Sequence, residues 1–243
     1  MKQIVRILCI TLLVFDVLTI TIVAGAQAKK AVQGSAAASF SGTVRFDGKV
    51  PAPRKIDMSG DPACKGNNSS ESIASENGML ENVFVYVKDG LNGKTFPAPK
   101  TPVVIDQNGC RYIPHVAAAM AGQPVKFNNS DAAMHNVHPR PRNNQDWNES
   151  QQPKGDPIVK TFSNPDVMFP VVCNQHPWMK MFMNVTNSPF YAVTGKDGKF
   201  ALKGLPPGTY TIAAVHEKLG EQTMQVTITG KEAKTGDFTF KAQ

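Results

Sequence analysis

The chain has 243 residues, of which 41% are hydrophobic and 19% charged, a balance typical of a folded protein that argues against disorder over its whole length. This size suits one large β domain or two small ones, and the 19 Gly and 18 Pro favour strands and turns over long helices. The formal net charge of +7 favours contact with acidic partners, but there is no dense basic run of the kind that binds nucleic acid.

The N-terminus has the features of an export signal. A basic stretch from Lys2 to Arg6 precedes a largely apolar run over 7–23, which Asp16 interrupts. Small residues follow in Ala26-Gln27-Ala28, at the positions that a signal peptidase reads. We predict a signal peptide over residues 1–28, and therefore a periplasmic or extracellular protein.

The alternative is that the apolar run stays as a membrane anchor. The carboxylate of Asp16 would be costly in hydrocarbon, so we expect no stable membrane span after cleavage. Residues 1–28 carry a net charge of +1, which leaves +6 on the mature chain. Small residues dominate 29–38, which we predict to be a flexible linker.

Cleavage would leave three cysteines, Cys64, Cys110 and Cys173. Exported proteins fold in oxidising compartments, where cysteines usually pair. With three of them, one thiol is left over and needs a separate explanation.

Beyond residue 38, short β-forming runs alternate with turn signals such as Asp-Gly, Asn-Gly and Pro-Pro-Gly. The predicted strands are 43–46, 83–88, 103–105, 125–127, 158–162, 167–173, 209–213 and 223–229. An Ala-rich run over 115–121 could form a turn of helix. The pattern as a whole predicts an all-β protein, most simply a β-sandwich.

One segment combines residues that bind metals. In Val171-Val-Cys-Asn-Gln-His-Pro-Trp-Met-Lys180, the residues Cys173, His176 and Met179 follow one another at three-residue steps. A thiolate and imidazoles in a plane, with a thioether as a weak axial ligand, suit both oxidation states of copper. Zinc is the competing metal, but it rarely recruits a thioether. A second imidazole has to come from elsewhere, and His135 and His138 are the candidates.

This segment closely resembles the copper-ligand loop of amicyanin, Cys-x-x-His-Pro-aromatic-Met. The stretch 122–137 resembles the part of amicyanins, plastocyanins and azurins in which a Gly-x-x-Val-x-Phe/Trp-x-Asn strand leads to a ligand His followed by Asn. The resemblance covers roughly residues 100–188 and implies a cupredoxin domain, a Greek-key β-sandwich that holds one copper ion.

The resemblance also implies a role for each matching residue. Four residues would be copper ligands, and Asn136 would brace the ligand loops by hydrogen bonds. The implied ligands are His135, Cys173, His176 and Met179. The sequence departs from the family at His138, which is therefore a candidate for an additional or alternative ligand.

The C-terminal part resembles a different family. The segment 191–212 contains Thr-Gly-Lys-Asp-Gly-Lys-Phe followed by Leu-Pro-Pro-Gly-Thr-Tyr, as in carboxypeptidase regulatory-like (transthyretin-like) β-sandwiches. The Gly42-Thr-Val segment resembles their first strand. We therefore predict a discontinuous module over 39–99 and 189–243, with the cupredoxin part, 100–188, inserted. The alternative is a single decorated sandwich.

Once Cys173 is assigned to copper, Cys64 and Cys110 are the natural disulfide pair. The alternatives are two free thiols or a second metal site that includes His115. His216 begins a His-Glu sequence but lacks the second histidine of a zinc-protease motif, so we interpret it as structural.

These observations predict an exported type 1 (blue) copper protein that transfers electrons by Cu(I)/Cu(II) cycling. By the resemblance, electrons would leave through His176 near an apolar patch of Pro177 and Trp178, where a transient redox partner would dock, an acidic one given the net charge. Alternatives are a non-redox copper carrier or store and an adhesion-type binding module. We expect no enzyme activity, because four protein ligands leave no open position for a substrate; a second copper ion at His138 would change that.

Overall fold

The computed structural model describes residues 38–66 and 68–242, and within these ranges the chain forms nineteen strands and no helix. The prediction of an all-β protein is confirmed. The predicted signal peptide lies outside the described residues, as does almost all of the predicted linker. No described helix has the length and hydrophobicity of a membrane span.

The strands are, in chain order, β1 (Ser39–Asp47), β2 (Ser75–Glu76), β3 (Met79–Leu80), β4 (Phe84–Asp89), β5 (Val103–Gln107), β6 (Tyr112–Ile113), β7 (Val116–Met120), β8 (Pro124–Asn129), β9 (His135–Pro139), β10 (Glu149–Gln151), β11 (Ile158–Thr161), β12 (Asp166–Val172), β13 (Lys180–Thr186), β14 (Tyr191–Val193), β15 (Lys199–Lys203), β16 (Gly208–His216), β17 (Gly220–Ile228), β18 (Ala233–Thr235) and β19 (Phe238–Lys241).

Two of the four sheets are built from the ends of the described chain. One has the order β15-β1-β3-β2, with β18 and β19 also paired to β1, and the other has the order β14-β4-β16-β17. Strand β1 is the centre of the first of these sheets, because it pairs antiparallel with β15 and parallel with β18 and β19. Gly42 permits this crowding, since a Cβ there would lie 1.9 Å from the carbonyl oxygen of Gly236.

These two sheets enclose the first core cluster. Strand β1 contributes Phe40, Val44 and Phe46 at positions that point inward, and β16 contributes Tyr210 and Ile212 from the opposite sheet. All five side chains are buried. The cluster therefore joins residues from 38–87 with residues from 190–240, on either side of the predicted insertion.

The other two sheets come from the middle of the chain and have the orders β10-β9-β12-β13-β7 and β11-β8-β5-β6. Strand β8 alternates between half-buried and buried residues, so one face is covered and one is partly open. Strand β13 is buried at every position after its first, because it lies inside its sheet between β12 and β7.

The Ala-rich run forms β7, parallel to β13, so the suggested turn of helix was wrong. The small side chains of Ala117 and Ala119 fill buried positions against β13 and add to the second core cluster.

The second core cluster lies between these middle sheets and includes Ile105, Phe127, Phe169 and Met183. It also takes in Met58 and Cys64, which precede the predicted boundary at residue 99. Residues 56–66, here named the capping loop, thus pack against the middle of the chain. The division into two modules at residues 99 and 189 stays a prediction.

His216 makes the stability of the fold depend on pH. Its Nδ1 accepts hydrogen bonds from the backbone amides of Lys218 and Leu219, at 3.1 and 3.3 Å. Burial lowers the pKa of His216 to about 4, against about 6.5 in an unfolded chain. Between these two values the unfolded chain binds the proton more readily than the folded chain. The free energy of unfolding should therefore fall as the pH is lowered from about 6.5 to about 4, by up to about 3 kcal/mol from this residue.

The substitution His216→Asn tests this, because it keeps an acceptor near the Nδ1 position and removes the titration. Denaturant unfolding measures the free energy of unfolding at about pH 7 and at about pH 4.5. Between these two pH values the variant should lose less of this free energy than the unchanged chain. All other histidines are common to both proteins, so equal losses would contradict the assignment to His216.

Candidate metal centre

The turn between β12 and β13 carries three of the predicted ligands. Cys173 directly follows β12, and β13 returns antiparallel beside it, so the intervening residues form a short loop. The amide of Cys173 donates to the carbonyl of Met179 at 3.1 Å, and the amide of Met179 donates to the carbonyl of His176 at 2.8 Å. These bonds fix the loop, and its ends lie inside the protein, where Cys173 is 3% exposed and Met179 is fully buried.

The first residue of β9 completes the cluster. Strand β9 lies beside β12 in the same sheet, which places His135 next to the Cys173 loop. Nδ1 of His135 lies 2.9 Å from Nδ1 of His176, and the sulfur of Cys173 lies 3.7 Å from the same His176 nitrogen. All three donor atoms are within 4.8 Å of one another, and all three residues are buried. The structure thus brings together the predicted thiolate and both predicted imidazoles.

The outer nitrogen of each ring faces a carboxylate. Nε2 of His135 lies 2.9 Å from Oδ2 of Asp131, and Nε2 of His176 lies 2.9 Å from Oδ2 of Asp61. A carboxylate can only accept a hydrogen bond, so both Nε2 atoms carry a proton. When a ring carries only this one proton, its Nδ1 presents a lone pair towards the centre of the cluster.

Two lone pairs at 2.9 Å cannot hydrogen-bond to each other, and they repel unless a cation lies between or beside them. Burial lowers the pKa of His135 despite the nearby carboxylate of Asp131, which disfavours a second proton on that ring. A metal ion satisfies both nitrogens at once, and a histidine that holds a metal through one nitrogen commonly donates through the other to a carboxylate.

The donor atoms also fit a transition-metal ion. Bonds of about 2.0 Å to nitrogen and about 2.3 Å to sulfur at an angle of about 120° separate the two donors by about 3.7 Å, as observed for Cys173 and His176. The 2.9 Å between the two Nδ1 atoms is shorter than the roughly 3.5 Å of an ideal trigonal plane and corresponds to an angle of about 90° at the ion. Cys173 is the free cysteine of the described chain, so its sulfur is not tied up in a disulfide and can serve as a metal donor. Two imidazoles and a thiolate form a donor set that suits copper or zinc over magnesium or calcium.

Asn136 connects the two halves of the cluster. Its Oδ1 accepts from the amide of Asn174 at 2.8 Å and from the sulfur of Cys173 at 3.4 Å, while its Nδ2 donates to Asn148 at 2.6 Å. The backbone carbonyl of Asn136 accepts from the buried hydroxyl of Tyr112 at 2.6 Å. These contacts hold β9 and the Cys173 loop in a fixed position relative to each other.

A disulfide lies against the outer side of both rings. The predicted pairing of Cys64 with Cys110 is confirmed, with a Cα–Cα distance of 5.5 Å, and such a bond favours a compartment outside the cytoplasm. The sulfur of Cys64 lies 3.7 Å from Nε2 of His176. The amide of Cys110 donates to Asp131 at 2.9 Å, so the disulfide joins the surroundings of the two histidines.

The capping loop covers part of the surface that was predicted as the exit for electrons. We expected the outer edge of His176 to lie by an apolar surface of Pro177 and Trp178. Trp178 does lie beside the ring, at 5.1 Å between centroids, and Pro177 is exposed. The outer nitrogen of His176, however, is covered by Asp61 and Cys64 of the capping loop, and the residue is only 3% exposed.

His138 lies apart from the cluster. It lies three positions after His135 along β9, an odd offset, so the two side chains point to opposite faces of the strand. Its Nδ1 lies 2.9 Å from Oδ1 of Asn174, and its Nε2 lies 3.1 Å from Asp146. Both ring nitrogens are therefore engaged outside the groups of donors that could share an ion.

Sequence reasoning missed Asp61 and Asp131. Asp131 lies four residues before His135, and that short spacing could have identified it. Asp61 lies 115 residues before His176 in a polar loop, and only the predicted disulfide at Cys64 indicated that this loop approaches the centre.

Comparisons with protein-family models and with curated proteins found no match. Among solved structures, a copper-containing nitrite reductase from Thermus scotoductus is 22% identical with a TM-score of 0.34, over 40% of this chain and 24% of that one. A purple cupredoxin from Nitrosopumilus maritimus is 21% identical with a TM-score of 0.30, over 35% of this chain and 99% of that one. An amicyanin variant in its Cu(I) form is 19% identical with a TM-score of 0.31, over 42% of this chain and 97% of that one.

The matched part thus spans about a quarter of the nitrite reductase and nearly all of the two smaller proteins. Likenesses this distant assign neither a family nor an activity. We therefore interpret the site from its own residues and geometry.

The contact between Asp61 and His176 predicts that removing the negative charge of Asp61 weakens copper binding. Asp61 is held as a carboxylate, since the amide of Ala63 and the ring of His176 lower its pKa. Asp61→Asn should weaken Cu(II) binding about tenfold or more, because the ring is less firmly oriented and less basic. Competition with a chromophoric chelator measures the affinity.

Asp57 provides the matched control. It lies in the same loop and accepts from the amide of Ser59 at 3.0 Å, away from the histidines. Asp57→Asn removes the same charge and should leave the affinity within about twofold. A similar loss in both variants would contradict a specific role for Asp61.

Proposed function

We propose that this protein is an exported type 1 copper protein that transfers single electrons at a His135-Cys173-His176-Met179 centre within a cupredoxin-like part, residues 100–188. One observation carries the proposal. Two buried imidazoles, each protonated on its outer nitrogen, direct their lone pairs to a point beside a buried free cysteine. A metal ion at that point would satisfy both nitrogens and the sulfur, and these donors are those of a mononuclear copper site.

Copper is favoured over zinc by the composition of the ligand loop. Met179 is fully buried and directly hydrogen-bonded to the backbone of both Cys173 and His176. A thioether is a weak axial ligand that copper accepts and that structural zinc sites rarely include. When bound, copper would supply a one-electron Cu(I)/Cu(II) couple.

The protein would contribute rigidity and a dry environment. His135 is fully buried, Cys173 and His176 are each 3% exposed, and both histidines are fixed at their outer nitrogens. Ligands that are held in place move little when the charge at the centre changes, which keeps the reorganisation small and the exchange of electrons fast. The carboxylates of Asp61 and Asp131 add negative charge around the centre and thereby favour the higher oxidation state.

A second candidate function is copper storage or transport. The observation that favours it is the covered edge of His176, because Asp61 and the disulfide at Cys64 restrict access to the ring. Slow transfer of Cu(I) to an external chelator with rapid electron exchange would support the first function. Rapid metal transfer with slow electron exchange would support the second.

The flanking strands complete the proposed organisation. We assign 39–99 and 189–243 to a discontinuous transthyretin-like module, supported by the first core cluster, which combines residues from both segments. We place the protein in the periplasm or outside the cell, supported by the disulfide. The capping loop would then be a part of the flanking module that covers the inserted copper site.

The visible spectrum tests the proposal. Adding Cu(II) to the metal-free chain should produce an intense blue thiolate-to-copper charge-transfer band. Cys173→Ser should abolish the band, because the hydroxyl cannot replace the thiolate. A colourless complex in the unchanged chain would rule out this type of centre.

Met179→Leu is the companion variant, because it keeps the thiolate and the volume of the side chain while removing the thioether. The variant should retain a strong visible band and should have a changed reduction potential, since the axial ligand helps to set it. An unchanged potential in protein-film voltammetry would contradict the assignment of Met179 as a ligand.

A further inference from the structure

The covered edge of His176 raises the question of where a redox partner could approach the centre. The His176 ring packs against Trp178, with 5.1 Å between the ring centroids. The indole is fixed, since its Nε1 donates to the carbonyl of Cys110 at 3.1 Å, and it is only half-buried. Trp178 is therefore a surface group in direct contact with a proposed copper ligand.

Trp178 forms one wall of a surface cleft of about 330 Å³. The rest of the lining comes from segments that are distant in sequence, and it is rich in charge. The charged lining residues are Arg54, Glu71, Arg111, Lys180, Glu217 and Lys218. The cleft is thus much more polar than the apolar patch expected beside Trp178.

The two carboxylates of the cleft already have partners. Glu217 is nearly buried, and its Oε1 lies 2.7 Å from Nε2 of His115. Glu71 lies 3.5 Å from the guanidinium of Arg111 and 3.9 Å from His115. Neither carboxylate is available to neutralise the remaining basic side chains.

Three cations of the cleft remain uncompensated. Arg54, Lys180 and Lys218 are exposed, and in the described part of the chain none of them forms an ion pair. Three positive charges around an aromatic side chain favour a partner with carboxylates and an apolar or aromatic contact residue.

We propose that this cleft is the docking surface for an acidic segment of a protein redox partner. Carboxylates of the partner would pair with Arg54, Lys180 and Lys218, and a side chain between them would contact Trp178. That the partner is a redox protein rests on the function proposed above. That its docking segment is acidic rests on the charges of the cleft alone. Ion pairs at an exposed rim act mainly on the association rate and on salt dependence, which suits a brief encounter.

Binding of a fluorescein-labelled oligo-glutamate peptide to the copper-loaded chain, measured by fluorescence anisotropy at low salt, tests the proposal. The double variant K180E/K218E should weaken binding about tenfold or more. The matched control is K203E/K231E, which makes the same change in net charge at exposed lysines outside the cleft. The control should weaken binding less than about threefold.

A second measurement locates the contact. The Cu(I)-loaded chain, labelled with ¹⁵N, has two tryptophans, and Trp147→Phe leaves the indole signal of Trp178. The peptide should shift this signal in proportion to binding. An unchanged indole signal, or equal losses of affinity in the cleft and control variants, would overturn the proposal. Displacement of the peptide by inorganic phosphate at matched ionic strength would also overturn it, because the cleft would then be a general anion site.

Failure of the docking surface and failure of the proposed electron-transfer function give different results. Peptide binding with these properties in a chain that develops no blue band would refute the electron-transfer function and leave the docking surface in place. A blue band in K180E/K218E with intact peptide binding would refute the docking surface and leave the copper centre in place.

Discussion

Two imidazole nitrogens that face each other in a buried space set the main physical constraint on this protein. The Nδ1 atoms of His135 and His176 lie 2.9 Å apart, and each ring donates its proton outward to a carboxylate. Without a cation this arrangement would be costly, since lone pairs repel strongly where there is little water to screen them. The surrounding structure fixes both rings through the brace of Asn136, the fixed loop from Cys173 to Met179 and the positions of Asp61 and Asp131.

This constraint links segments that lie far apart in the sequence but pack into the same core cluster. Asp61 reaches His176 because the capping loop packs into the second core cluster through Met58 and is tied to Cys110 by a disulfide. The disulfide closes a loop of 46 residues and limits the freedom of that segment in the unfolded chain, worth about 4 kcal/mol by chain-entropy arguments. The same loop covers the outer edge of His176, which leaves Trp178 as the surface group beside the ring.

The sequence was most informative where the chemistry is local. Cys173, His176 and Met179 could be predicted because one short loop between two strands holds all three, whereas His135 lies 38 residues earlier and needed a family resemblance. Asp61 could not be predicted, since nothing in a polar loop specifies a partner 115 residues away. The Ala-rich run of β7 misled us because alanine has a high helix propensity, and only the crowded position beside β13 explains its use in a strand. The charges around Trp178 also escaped prediction, because they come from five separate segments.

The central claim concerns the atoms that bind the metal, and X-ray absorption at the copper edge tests it most directly. The copper-loaded chain should show one sulfur neighbour at about 2.2–2.3 Å and two imidazole nitrogens at about 2.0 Å, with the outer-ring scattering typical of histidine. These distances would place Cys173 and both histidines around a single ion. A first shell of nitrogen and oxygen alone, without sulfur, would contradict the account.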